Sequence, residues 1–188
     1  MGMVPPDRFI PIAEDSGLIN ELTFTLFRKV CEEAQTWPKG LFVSLNISPV
    51  QLRTENIVED LLAILAEFGL PAGFLEVEIT ENAVIHDVEE AAIVLNRMAE
   101  AGIRLALDDF GTGYSSLHHL RQLPFSKLKI DKSFIGPNIY SPRPGLVLDF
   151  TPRNRRLSTS NLSAGIFMTI WPDLSNGSSC APRYIWIF

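Results

Sequence analysis

Residues 74–109 run FLEVEITENAVIHDVEEAAIVLNRMAEAGIRLALDD, and their reading decides the fold. Leu75, Val77 and Ile79 alternate with Glu76, Glu78 and Thr80, the period-two pattern of a strand. Asp87-Val88-Glu89-Glu90 then sets an Asp three residues before a Glu, a variant of the capping box that opens a helix. Val88, Ala92, Leu95 and Ala99 recur at helical spacing, and the pattern stops near Gly102. From Ile103 to Asp109 the chain is apolar again, as a buried strand is. Strand, helix and strand over this length predict a parallel sheet built from βα units.

The same alternation extends both ways. Upstream, Ile19, Leu22, Leu26 and Val30 mark one face of a helix, and Leu41-Phe42-Val43-Ser44-Leu45-Asn46 reads as a buried strand. Ser48-Pro49 is a helix start, and Ile57, Leu61, Ile64, Leu65 and Phe68 form the next apolar face, ended by Gly69 and Pro71. Downstream, residues 115–123 read as a short helix and 127–131 as a last short strand. No Gly-rich turn follows the first strand, which counts against a dinucleotide fold. Polar residues recur at the carboxyl ends of the strands, as in a TIM-type (β/α) barrel, but a whole barrel takes roughly 250 residues. The expected class is therefore α/β: a partial (β/α) TIM-type barrel of about four βα units, with an irregular C-terminal tail. Half a barrel is expected to leave strand edges unpaired and to invite self-association.

The 188 residues are 46% hydrophobic, enough for one domain with a sizeable core. A net charge of −6 excludes a general binder of nucleic-acid polymers, because nothing broadly attracts a polyanion. The two cysteines, Cys31 and Cys180, give no disulfide framework and fit a reducing compartment. Cys31 reads as a small core or boundary hydrophobe. No apolar run reaches the roughly 18 residues that span a bilayer, and the N-terminus lacks the basic and apolar regions of a signal peptide. A cytoplasmic location with no membrane segment is expected. The chain changes character after Ile135: 11 Lys+Arg stand against 20 Asp+Glu before that point, and five Arg against two Asp after it. Six of the 13 prolines also fall beyond it, so the expected division is a domain over 1–135 and an unrelated or disordered tail over 136–188.

Each predicted strand offers a ligand for a hard cation: Asn46 on the first, Glu78 on the second, Asp108-Asp109 on the third, and Lys129-Ile130-Asp131 ending the fourth. In a parallel sheet these lie on one rim. Crowded carboxylates repel unless a cation sits among them, and oxygen ligands favour Mg²⁺, Mn²⁺ or Ca²⁺. Composition and period alone leave a plain reading open beside this one, with Asn46 and Asp108-Asp109 as turn residues and Glu78 on a solvated face.

The motifs taken together resemble the EAL domain family. The resemblance rests on Phe9-Ile10-Pro11-Ile12-Ala13-Glu14-Asp15-Ser16-Gly17-Leu18-Ile19, Ser44-Leu45-Asn46-Ile47-Ser48 and Glu78-Ile79-Thr80-Glu81. It rests equally on Asp108-Asp109-Phe110-Gly111-Thr112-Gly113-Tyr114-Ser115-Ser116 and Lys129-Ile130-Asp131-Lys132-Ser133-Phe134-Ile135. Asp-Phe-Gly also marks protein kinases, but no Gly-rich loop or His-Arg-Asp segment precedes it here. The resemblance implies a (β/α) barrel that hydrolyses cyclic di-GMP to a linear dinucleotide with Mg²⁺ or Mn²⁺. It implies that Asn46, Glu78, Asp108 and Asp109 are metal ligands and that Lys129 holds the attacking water or the developing charge. Glu81 would tether the loop that begins at Asp108, Asp131 would support the same rim, and that loop would couple the site to a homodimer. His118 and His119 read as surface or packing residues.

The family's Glu-Ala-Leu motif would lie upstream of Phe9, and its Ala-Glu-Gly-Val-Glu and Gln-Gly-Tyr segments would follow Ile135. None is present in these residues. The expectation is a phosphodiesterase site that is impaired in this chain. The alternative is a non-catalytic remnant acting as a binding or regulatory module.

Overall fold

The structure is a computed structural model, and it describes residues 4–85, 87–110, 123–130, 146–149, 157–158, 168–172 and 183–185. Two helices lead in, α1 (Pro6–Asp15) and α2 (Ile19–Ala34). The repeating part follows: β1 (Leu41–Asn46), the short α3 (Pro49–Leu52), α4 (Ile57–Glu67), β2 (Leu75–Thr80), α5 (Glu81–Ile85), α6 (Val88–Glu100), β3 (Arg104–Phe110) and β4 (Lys127–Ile130). The pairs β1–β2, β2–β3 and β3–β4 are all parallel, so the predicted four-strand parallel sheet is present in sequence order. Among the described residues no helix is long and apolar enough to cross a membrane.

Local chemistry explains where the elements begin and end. Pro6 and Pro49 occupy first-turn positions of α1 and α3, where a missing N–H costs nothing. The Asp87 carboxylate accepts the Glu90 N–H at 3.0 Å and caps α6, as its sequence spacing predicts. At the other end Gly102 takes φ +88°, and the Ile103 N–H returns to the Met98 carbonyl at 3.0 Å. That closure needs a left-handed residue, and it aims the chain into β3. Gly69, at φ +64°, does the same after α4, with the Leu70 N–H on the Leu65 carbonyl at 2.9 Å.

One face of the sheet packs on the helices. Val43, Leu45, Leu75, Val77, Ile79, Leu105 and Leu107 are enclosed there with Phe27 and Val30 of α2, Leu61, Ile64 and Leu65 of α4, and Leu95 and Met98 of α6. Each such side chain contributes roughly 1.5–3 kcal/mol on leaving water. In α2 the core face differs from the expected stripe: Thr23, Phe27, Cys31 and Ala34 are buried with Ile19 and Val30, while Leu22 and Leu26 are only half-buried. The Thr23 hydroxyl tolerates burial because the Gln51 amide of α3 donates to it at 3.1 Å.

The parallel sheet does not end in open edges, contrary to the expectation. β5 (Leu146–Asp149) pairs antiparallel with β4, and β6 (Leu157–Ser158) pairs with β5. On the other side β7 (Met168–Pro172) pairs antiparallel with β1, and β8 (Arg183–Ile185) pairs with β7. The order across the sheet is β6-β5-β4-β3-β2-β1-β7-β8. Backbone groups of β1 and β4 that a half barrel would leave unsatisfied thus find partners from the C-terminal residues.

Candidate active site

The sheet face opposite the helices carries polar side chains in two layers. The lower one joins Ser44 of β1, Glu76 of β2 and Lys127 of β4. The Lys127 ammonium donates to both Glu76 oxygens, at 2.7 and 2.6 Å, and the Ser44 hydroxyl donates to Glu76 Oε1 at 3.0 Å. Arg104 and Lys127 stand over the Phe42 ring at 4.4 and 5.1 Å from its centroid, within range of a cation–π attraction. The sequence reading passed over this layer. Its signal was the two-residue step, because Glu76 lies two before Glu78 and Lys127 two before Lys129, and such pairs share a face.

The upper layer holds the predicted site. Asn46 and Glu78 are direct partners across β1 and β2, and Thr80 is the partner of Asp108 across β2 and β3. Glu78, Asp108 and Lys129 are all buried, so the solvated-face reading of Glu78 does not hold. The Lys129 ammonium is ion-paired to Glu78 Oε2 and lies 3.8 Å from Asp108 Oδ2. Asn46 and Asp109 are half-buried. Glu81, the first residue of α5, is buried. Asp131, His118, His119 and the loop from Gly111 onward lie outside the described residues.

Consecutive strand residues normally face opposite ways, yet Asp108 and Asp109 are both candidates for one rim. The backbone breaks the alternation there. The β3–β4 register shifts between Leu107 and Phe110, and Asp109 takes φ +54°, a left-handed conformation that Asp adopts more readily than most residues. The Asp109 N–H donates to Asp108 Oδ1 at 2.9 Å.

Charge is unevenly matched across this layer. Burial alone would raise the Glu78 pKa, but the attraction and hydrogen bond of Lys129 outweigh it and hold the carboxyl below its ordinary value. Asp108 receives less of that help. Desolvation pushes its carboxyl up to about 6 against the pull of Lys129, and the negative charges of Glu78 and Asp109 push the same way. Burial works against the Lys129 ammonium, yet Glu78 and Asp108 hold its pKa above the ordinary value.

The donors fit a hard cation in kind. Glu78 Oε1 is buried without a hydrogen-bond partner, and the Asp108 carboxylate is buried on the other flank of the Lys129 ammonium. They are not gathered into a finished cage: among the described residues no three Asp, Glu, His or Cys side chains stand close enough to hold an ion as they are.

Comparison with known proteins agrees with the fold and the motifs. The EAL domain profile matches residues 1–149, and the chain belongs to that family. It is 39% identical over 138 residues to the cyclic di-GMP phosphodiesterase NbdA of Pseudomonas aeruginosa, a match covering 71% of this chain and 18% of that protein. The chain spans under a fifth of the length of the first curated relatives it matches. Its fold is similar to a PaMucR phosphodiesterase in complex with c-di-GMP, with a TM-score of 0.67 and 32% identity, covering 72% of this chain and 60% of that one. It is also similar to Klebsiella pneumoniae BlrP1 in a calcium and c-di-GMP complex, with a TM-score of 0.52 and 28% identity, covering 61% and 28%. EAL domains are TIM-barrel-like, and the four parallel strands are part of that architecture.

Proposed function

We propose that this chain supplies the metal-binding side of a phosphodiesterase site that hydrolyses cyclic di-GMP to a linear dinucleotide. The observation that carries the reading is the buried, partnerless Glu78 Oε1, with the buried Asp108 carboxylate on the other flank of the same Lys129 ammonium. Buried carboxylates with an oxygen left idle are the donors that a hard cation takes.

Asn46, Glu78, Asp108 and Asp109 would hold Mg²⁺ or Mn²⁺. Such ions, when bound, lower the pKa of a water and neutralise charge on a phosphodiester. The protein's own contribution is placement. β2 and β3 carry Glu78 and Asp108, and Asp109 and Asn46 would have to turn in from the ends of β3 and β1 to complete the set. Lys129 would bind the attacking water or the developing negative charge. Glu81 would tether the loop that begins at Asp108, Asp131 would support the rim, and the same loop would form a homodimer contact. A substrate of that kind would be an intracellular messenger, so the activity would lie in the cytoplasm.

A second reading, a binding or regulatory module without turnover, is favoured by the lack of a ready three-acid cage among the described residues. One experiment separates the two. The chain is incubated with cyclic di-GMP and Mn²⁺, and linear dinucleotide is sought by chromatography. Product that is lost in Glu78→Gln supports hydrolysis. Calorimetric binding of cyclic di-GMP with no product supports the module.

A further inference from the structure

Among the described residues Lys129 is the buried cation. Its side chain is 4% exposed, the Glu78 side chain it pairs with 3%, and Asp108 closes its other flank. Arg28, Arg53 and Arg97 by contrast pair with Glu67, Glu90 and Glu59 at the surface. The family resemblance implies a role for Lys129 toward the attacking water or the developing charge, but its ammonium lies between the Glu78 and Asp108 carboxylates.

We infer that the Lys129 ammonium is a resident counter-ion which a divalent cation must displace from Glu78, so that loading the cation and presenting the lysine at the mouth are one event. The inference rests on the metal-site reading above. Glu78 Oε2 is engaged by Lys129 while Oε1 is idle, so a cation bound by Glu78 would sit beside the ammonium. Like charges a few ångströms apart in a buried site repel strongly. Glu78 and Asp108 are fixed on neighbouring strands, whereas the lysine head rides on a flexible four-carbon stem, so the lysine is the group that moves. It cannot move down, because both Glu76 oxygens are already taken by Lys127 and Ser44. The remaining direction is outward, to the carboxyl end of the strands, where the phosphodiester would lie.

Two measurements on the full chain test this, and neither reads turnover. In the first, the unaltered protein is treated with a limiting amine-acetylating reagent, with EDTA or with saturating Mn²⁺, and acetylation is read by peptide mass spectrometry. Mn²⁺ should raise labelling of Lys129 severalfold and leave that of Lys127, paired to Glu76 in the layer below, unchanged. In the second, Mn²⁺ affinity is measured by calorimetry for the parent and for Lys129→Met, which should bind about tenfold more tightly because no ammonium must be evicted. Lys129 labelling that is unchanged or reduced by Mn²⁺ overturns the inference, as does a folded Lys129→Met variant that binds Mn²⁺ no more tightly. If that variant does not fold, the labelling result on the parent decides alone. If neither protein binds Mn²⁺, the metal-site reading fails and this inference with it. If the parent binds and Lys129 does not respond, only this inference fails.

Discussion

Lys129 and Glu78 form an ion pair that is almost wholly enclosed, and Asp108 stands close enough to share the ammonium. Breaking one side of such a pair leaves a buried charge without its partner, which costs about 3–5 kcal/mol. In EDTA, Glu78→Gln and Lys129→Met should each lose stability on that scale in urea unfolding. The double variant should be closer to the parent than either single one. Additive losses would mean that the pair is not coupled.

The layer below offers a comparison of magnitudes. Lys127 is 15% exposed and Glu76 2%, whereas Arg28 and Glu67 are 52% and 54% exposed. Lys127→Met should cost about 3 kcal/mol or more, while Arg28→Ala should cost under about 1 kcal/mol and lose even that in salt. Equal effects in denaturant titrations would refute the contrast.

Asp108 imposes its own pH dependence. Its folded pKa of about 6 is above the unfolded value of 3.8, so the folded state binds more protons between them, and this group's contribution to stability falls as pH rises through that window. Glu78, held low, contributes stability above its ordinary pKa of 4.5 that is lost as pH falls, and so works in the opposite direction. In EDTA, Asp108→Asn should therefore gain stability relative to the parent on going from about pH 4 to about pH 7, by about 1–3 kcal/mol. With Mn²⁺ present the order should reverse at pH 7, because the cation stabilises only the parent's carboxylate. A relative stability that does not vary with pH would contradict the Asp108 assignment.

Asp109 separates strain from ligation. At φ +54° a β-branched side chain is penalised and glycine is not. Asp109→Val should destabilise the chain by roughly 1–2 kcal/mol, and Asp109→Gly should be neutral or slightly stabilising. Both should weaken Mn²⁺ binding if the carboxylate is a ligand. Thermal midpoints in EDTA and Mn²⁺ calorimetry report the two effects separately.

Much of this was legible before any coordinates. The alternation at Leu75, Val77 and Ile79 fixed a strand, the Asp87 cap fixed the start of α6, and the apolar run from Leu41 fixed β1. The face of α2 was misjudged because Leu22, Phe24, Leu26 and Phe27 are apolar nearly all round, and because a buried threonine shows itself only through Gln51, a partner 28 residues away. Leu146–Phe150 and Gly165–Trp171 stand out in the sequence as short apolar patches able to form a strand, but segments of that length carry too few periods to say what they pair with. Asn46, Glu78, Asp108 and Lys129 could be assigned to one end of the sheet from order alone. That the lysine ammonium contacts two carboxylates could not, because it depends on how the Lys129 stem reaches past Asp108 of the neighbouring strand to Glu78 of the next.

The outermost strands have a consequence for how the molecule meets its own copies. A sheet grows by recruiting a neighbour onto a long free margin, and here the terminal positions are held by β6, of two residues, and β8, of three. Two or three residues give an incoming strand scarcely a rung to climb. Short outer strands of this kind are one way a sheet avoids recruiting a further strand.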